Sequence, residues 1–342
     1  MQPPKINSLL GGLASVVIIV AGLKATAGLL TPILLSLFLV LVTYPILAWL
    51  KTRGMPHWLA YTLVLLSVLA VGAAVITFLV LSVNELVERL PTYSVQIESQ
   101  IDGLRQWLAE QGLTLDDIQE MSWFKPERII QLSLSLTTTL LGIVSDTALT
   151  LLIFVYMLAV APGFTRRLKR GLRNNPPMLQ KLEEFAQSTS SYLMIRGWLG
   201  ALAALAQMLL MWWLGLDFAV LWGVLSFAFN FVPNIGFYIA LLPPLLLAII
   251  DLSWIKTGLF ALVYVLINNF FDIVVAPRYL SKGLDLSVLV TFIAVIIWSW
   301  VLGPIGAFLA LPLTIMVKKL LLEPFPQTSL IANLMGAGDS KV

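Results

Sequence analysis

The sequence predicts an all-α, polytopic membrane protein, and three observations carry that prediction. The chain of 342 residues is 59% hydrophobic and 11% charged, where a soluble domain carries roughly 25% charge. Its mean hydropathy is +0.94. Apolar runs near the roughly 20 residues that cross a bilayer recur along its length. The expected architecture is six full spans plus two re-entrant hairpins or broken helix pairs, with one helical insertion outside the lipid.

The spans follow in order. Residues 6–23 and 29–50 form the first two, with Lys24 between them placed to snorkel. Lys51, Arg53 and His57 follow, then a third span at 58–83. Residues 84–128 carry nine acids against four bases, so this segment leaves the membrane. Within it Ile97, Ile101, Leu104 and Leu108 make one apolar stripe at helical spacing, fit to dock on a neighbouring helix or a second protomer. A fourth span at 132–161 contains Asp146. Residues 162–196 hold seven bases and two acids, with Phe164, Leu168 and Leu172 as an apolar edge. That pattern suits an amphipathic helix on an anionic leaflet; beside a span it does not suit nucleic acid. Spans five and six fall at 197–214 and 254–275. Trp212, Trp213, Trp222, Trp298 and Trp300 read as interfacial or packing residues.

These limits divide the chain into spans 1–3 at 1–83, the insertion at 84–130, span four at 131–161 and the basic segment at 162–196. A C-terminal unit at 197–320 and a tail at 321–342 complete it. Basic loops at 51–57 and 162–196 alternate with the acidic insertion. The positive-inside rule therefore puts both termini in the cytoplasm. The N-terminal apolar run is expected to be a retained span, not a cleaved signal.

Two stretches break this regularity. NFVPNIGFYIALLPP at 230–244 and VLGPIGAFLALP at 301–312 place Pro and Gly inside apolar sequence. Laid over one another, residues 235–241 and 305–311 share Ile-Gly and Ala-Leu, and each copy has a proline before and after. Proline and glycine break helices, and broken backbone at membrane depth is tolerated only when buried in protein or lining a wet cavity. The arm at 237–250 spans about 21 Å, short of the roughly 30 Å hydrocarbon core. Two re-entrant hairpins entering from opposite faces are expected, with ordinary turns between short tilted spans as the alternative. Asn230, Pro233, Asn234, Gly236, Gly303, Pro304 and Gly306 are the candidate substrate and gate residues. Tyr264, Asn268 and Asp272 share one face of the sixth span, with Asn269 beside them. Asp272 is either a functional carboxylate within the membrane or an interfacial one paired with Arg278 or Lys282. Asp146 either lines a pathway or is satisfied by neighbouring hydroxyls.

The chain lacks cysteine and has one histidine. It contains no HExxH, GxSxG or Walker A motif, so enzymatic function and ATP-driven transport are not expected, nor is a cofactor or metal. A secondary transporter, a channel or a membrane scaffold remain.

VLWGVLSFAFNFVPNIG followed by LLPP, then APRYLSKGLDLSVLV, then WVLGPIGAFLALPLTIMVKKLL resemble the autoinducer-2 exporter (AI-2E) family of membrane proteins. The resemblance covers nearly the whole chain and is most specific in its C-terminal half. It implies a secondary exporter of autoinducer-2 or a similar small polar solute, with sodium- or cation-proton antiport as the alternative. It also implies placement in a prokaryotic cell (inner) membrane, a homo-oligomer with a pentamer as the proposed number, and a proton or sodium ion as the coupling ion. Asn268, Asn269, Asp272 and Arg278 are the expected polar pathway. Relatives often carry an acidic residue just before Pro277-Arg278, where this chain has Ala276, which moves the expected role to Asp272.

Overall fold

The computed structural model describes residues 6–110, 126–233, 235–280 and 286–336, with side chains described outside 6–10, 13, 83, 87, 90–91, 94–110, 126–146 and 280. The described residues are helices joined by turns, as backbone that must satisfy its own hydrogen bonds in lipid requires. The N-terminal part comprises α1 (Ile6–Ala25), α2 (Ala27–Thr52), α3 (His57–Glu110) and α4 (Pro126–Gly171). The C-terminal part comprises α5 (Pro176–Leu214), α6 (Ala219–Phe229), α7 (Gly236–Asp251) and α8 (Trp254–Asn269), then a π-helical turn, Phe270–Val275. It continues through α9 (Ala276–Leu280), α10 (Val288–Leu302), α11 (Pro304–Phe308), α12 (Ala310–Met316), a second π-helical turn, Val317–Leu322, and α13 (Ser329–Leu334).

Among the described residues, five helical stretches are long and apolar enough to cross a membrane: Ala27–Thr52, His57–Leu86, Thr147–Gly171, Pro176–Leu214 and Trp254–Tyr279. These correspond to spans two to six. For the first, the apolar helix counted is Ala14–Ala25, the described end of α1, whose Val16 to Ile19 are all more than half exposed. The third span continues without a break into the acidic segment, because α3 is one helix of 54 residues, about 81 Å long. Side chains of the Ile97–Leu108 stripe lie outside the described residues, as does that of Asp146.

The basic segment is divided between two helix ends. α4 runs to Gly171, a turn follows, and α5 begins with Pro176 at its first position. The Asn175 side chain caps α5, accepting from the Met178 N–H at 3.3 Å. Gly215 closes the helix at φ +74°, a left-handed cap that glycine adopts freely. α5 thus spans the whole C-terminal part, packing on α2, α6, α8, α9 and α12.

The two broken stretches fold as hairpins on α5. In the first, α6 and α7 pack on each other, at about 16 Å and 24 Å in length. Its turn depends on glycine. A Cβ on Gly236 would lie 1.9 Å from the Phe229 carbonyl oxygen and 3.1 Å from Val232 Cβ. In the second, α10 turns at Gly303 (φ +71°) into α11 and α12. A Cβ on Gly306 would lie 1.9 Å from the Trp298 carbonyl oxygen and 2.8 Å from Leu302 Cβ. The same residue of the repeated Ile-Gly motif therefore sits against a carbonyl of the preceding helix in both hairpins. Ala240 and Ala310, also shared, are buried at 1% and 0% exposure.

The hairpins enter from opposite ends. Asp217, before α6, and Asp251, at the end of α7, interact electrostatically with each other and with Arg89. Arg89 donates to Asp217 Oδ2 at 2.6 Å and Tyr93 Oη donates to the same oxygen at 2.8 Å. Between them Phe218 holds a left-handed φ of +59°, a conformation that costs a non-glycine residue about 1–3 kcal/mol. Its ring packs edge-on to Tyr93 at 6.4 Å and beneath the Arg89 guanidinium at 5.7 Å. The second hairpin starts instead near the C-terminal segment, where the Ser287 N–H donates to the Met335 carbonyl at 2.9 Å. Lys319 Nζ there lies 3.4 Å from Ser188 Oγ, near the start of α5.

Two outcomes follow. Gly236→Ala and Gly306→Ala are each expected to lose about 1–3 kcal/mol or more, read as a lower thermal midpoint in detergent. Gly258→Ala, whose Cβ meets nothing within 4 Å in α8, should instead hold or raise it. Burial, then the charge of Asp217, raises the Asp251 pKa, and Arg89 partly offsets this. A raised carboxyl favours the fold while protonated, and that contribution disappears as pH rises through the folded pKa. Asp251→Asn is therefore expected to raise the midpoint at neutral pH. The gain should vanish below the ordinary carboxylate value of 3.8.

Candidate functional site

The site is built on one face of α5. Thr189, Tyr192, Arg196, Gly200, Ala203 and Gln207 follow one another at spacings of three and four, so they line one stripe. Apart from Arg196, each is buried, and the Arg196 side chain is 16% exposed. Each level of the stripe receives a different element. Ser226 of α6 donates to Gln207 Oε1. Gly200 leaves room for Asn230, whose Cβ, Cγ and Oδ1 lie 3.2–3.3 Å from where a Cβ at 200 would stand. Arg196 Nη1 donates to Asp272 Oδ1 at 2.6 Å, in the first π-helical turn. Asn268 Nδ2 donates to the other oxygen, Oδ2, at 3.2 Å.

The hairpin tips meet beside this stripe. The Phe231 ring stacks on Phe308 at 4.3 Å between centroids, and Phe227 packs edge-on to Phe231 at 5.5 Å. Val232, Val295 and Ala310 form a small buried cluster there with Ile235, Trp298 and Ala307 against it. Trp298 Nε1 donates to Thr314 Oγ1 at 3.0 Å and so ties α10 to α12.

Thr189 Oγ1 on α5 and Asn230 Oδ1 on the first tip are buried without a close hydrogen-bond partner, while the Tyr192 hydroxyl interacts with Arg196 and the Tyr264 hydroxyl with Ser226. An unsatisfied buried group costs about 1–3 kcal/mol, and such groups concentrate where a protein has work beyond stability to do. The ring of Phe237 packs on Tyr264 at 5.9 Å, which joins α7 to the same polar face of α8.

The sequence-predicted residues are distributed as follows. Asn230, Pro233 and Gly236 form the first tip, with Pro233 and Gly236 buried; Asn234 lies outside the described residues. Gly303, Pro304 and Gly306 form the second tip, with Gly306 buried and Pro304 exposed. Asn268 and Asp272 are together, whereas Asn269 and Arg278 are exposed and off that face. The expected partner of Asp272 is corrected. Arg278 makes no ion pair with a described residue, Lys282 lies outside them, and the carboxylate pairs with Arg196. Arg196, one base of the basic segment, is turned into the protein and largely covered, with a side chain 16% exposed, because α5 runs straight through that segment. Asp272 lies about 27 Å along its helix from Trp254, toward the basic end. Ala276 is 4% exposed, so the position before Pro277-Arg278 faces protein in this chain. Of the tryptophans, Trp212, Trp213 and Trp300 are exposed and Trp222 is buried, as interfacial and packing roles require.

Comparison with known proteins gives the same outline. Residues 13–323 match the family model described as AI-2E family transporter. The chain is 30% identical over 334 residues to a "Putative transport protein" of Haemophilus influenzae, covering 95% of each chain. It is 30% identical over 349 residues to "Putative transport protein YhhT" of Escherichia coli K12, covering 99% of this chain and 97% of that one. It is 29% identical over 306 residues to "AI-2 transport protein TqsA" of the same organism, covering 90% and 89%.

The ion pair has a measurable signature. Arg196→Leu alone leaves Asp272 without its cation and is expected to lose stability, toward the lower end of the roughly 3–5 kcal/mol typical of a broken buried pair, because Asp272 is 35% exposed. Adding Asp272→Leu should recover most of that loss. A double-mutant cycle in thermal midpoints checks it, and additive losses would mean that the two side chains are uncoupled.

Proposed function

We propose, from the premise that the chain belongs to the AI-2E transporter family, that it is a secondary transporter whose two hairpins and α8 move against α5. The observation that supports the reading is the meeting of the two Ile-Gly tips at Phe231 and Phe308, with Phe231 against Gly197, next to Arg196 of the Arg196–Asp272 pair. Inverted hairpins whose tips meet inside a membrane protein give access to either face by small rigid movements. In this reading both hairpins are re-entrant. The first enters from outside, the second from the cytoplasm, and both termini are cytoplasmic. Asn230, Asn234 and the hydroxyls of α5 and α8 hold the solute. Their mixed donors and acceptors suit a small, uncharged, hydroxyl-rich molecule. Autoinducer-2, the solute in the name of the TqsA relative, is of that class, and export is the proposed direction. The reading involves no enzymatic step, and a homo-oligomer is its expected assembly, with a pentamer as the proposed number.

A second reading, cation-proton antiport, is favoured by the Arg196–Asp272 pair. A proton or sodium ion on Asp272 releases Arg196 and so frees the turn after α8 from α5. Both readings make the pair the point at which an ion gradient acts.

The cysteine-free sequence makes the test direct. Single cysteines at Asn230 and Pro304, in right-side-out and inverted vesicles, are expected to react from opposite faces, with rates that shift when a proton or sodium gradient is imposed. Equal labelling from both faces in every condition contradicts alternating access. In proteoliposomes Asn230→Ala is expected to lower autoinducer-2 flux at least tenfold, about 1.4 kcal/mol. Asp272→Asn should remove its dependence on the gradient; an unchanged dependence leaves Asp272 a structural partner of Arg196.

A further inference from the structure

A second site lies away from the hairpins. A cavity of about 240 Å³ opens between α3 and α4, lined by Tyr61, Thr62, Leu65, Val155, Leu158 and Ala159. Its walls are mostly aliphatic and it is half open to the surroundings, so it has the character of a groove for a chain and not of a closed chamber. The Tyr61 ring and Thr62 stand at its wall, and the Tyr61 hydroxyl is buried with no hydrogen-bond partner among the described residues. Lys51 Nζ lies over the Tyr61 ring at 4.6 Å. Arg53 caps the Trp49 ring at 4.9 Å. Neither Lys51 nor Arg53 pairs with an acid among the described residues.

The surroundings give the groove a depth. Trp49 and Trp58 are 54% and 70% exposed and flank the α2–α3 turn, where amphipathic rings mark the headgroup level of a bilayer. The end of α4 with Arg166, Arg167 and Arg170 stands at this same end, since Lys169 interacts electrostatically with Tyr44 of α2. Lys169 is held by Glu183 at 2.8 Å, so it is satisfied within the protein. An aliphatic slot one turn from Trp58, with Lys51 over the Tyr61 ring at its edge and Arg53 at the same turn, has the polarity profile of a phospholipid.

We propose that this groove binds one anionic glycerophospholipid from the leaflet at the basic end. An acyl chain lies along Leu65, Val155 and Leu158. Tyr61 Oη donates to the ester or phosphate oxygens, and Lys51 and Arg53 hold the phosphate charge. The site is separate from the transport reading and stands if that reading fails.

The test uses the purified full-length chain in detergent with an equimolar mixture of phosphatidylglycerol and phosphatidylcholine of identical acyl chains, read by native mass spectrometry. Retention of phosphatidylglycerol over phosphatidylcholine by roughly tenfold is expected for two bases near the headgroup. Lys51→Gln with Arg53→Gln should bring that preference to within about twofold of unity. Ala159→Trp, an exposed wall position, should fill the groove and abolish retention of both lipids. Tyr61→Phe, which keeps the packing, should lower phosphatidylglycerol retention severalfold. Retention by a normally helical Ala159→Trp equal to that of the unaltered chain overturns the proposal, as does the absence of any headgroup preference. Thr62→Cys copies that cross-link to each other in native membranes would make this face a contact between protomers and would overturn it as well.

Discussion

A helix that stops inside apolar surroundings leaves carbonyl and amide groups that nothing outside the protein can satisfy. Both breaks in the C-terminal part meet this constraint with the same device. A glycine at the start of the returning helix lies directly against a carbonyl of the helix just ended, so the chain reverses without opening space around its exposed backbone. Any side chain at that position would separate the two segments. The repeated Ile-Gly is therefore a backbone requirement before it is a functional motif. The tips it creates are narrow enough to meet each other at Phe231 and Phe308 while both remain packed on α5.

That arrangement assigns α5 its composition. A helix contacted along its length by several elements must offer small residues where a backbone or tip approaches, and polar ones where a polar group arrives. Gly200 and Ala203 do the first; Arg196 and Gln207 do the second. The stripe is amphipathic in reverse, with its polar side turned into the protein, as transmembrane helices that line a pathway require. The Arg196–Asp272 pair is the most demanding contact on it, because the Arg196 side chain is only 16% exposed and Asp272 is the anion that meets it.

Much of this outline is legible in the sequence. Apolar runs give spans two to six, alternating charge gives two distinct ends, and the Pro–Ile-Gly–Ala-Leu–Pro repeat marks both tips. What the sequence hides is continuity and partnership. The polarity change after residue 83 reads as a domain boundary, yet helical hydrogen bonds are indifferent to it and α3 continues. Arg196 reads as one more base in a basic segment, since a charge count carries no depth. Its burial follows only once α5 is seen as a single helix from Pro176. Gln207, a lone amide in an apolar span, was the one signal that this face of α5 points into the protein. The partner of Asp272 lies 76 residues away, a distance across which helical spacing conveys nothing.

The π-helical turn at Phe270–Val275 also makes residue number matter as much as residue identity. Such a turn holds one residue more than α-helical register would. Everything beyond it is therefore rotated by about 100° relative to α8. This offset is what aims Ala276 into α5 and sets Tyr279 edge-on against Trp198 at 6.1 Å. Deleting one residue between positions 273 and 275 would preserve every named side chain and still turn the Pro277-Arg278 segment away from its seat. The segment thus works as a vernier between the two halves of the C-terminal unit, where a change in length is read as a change in angle.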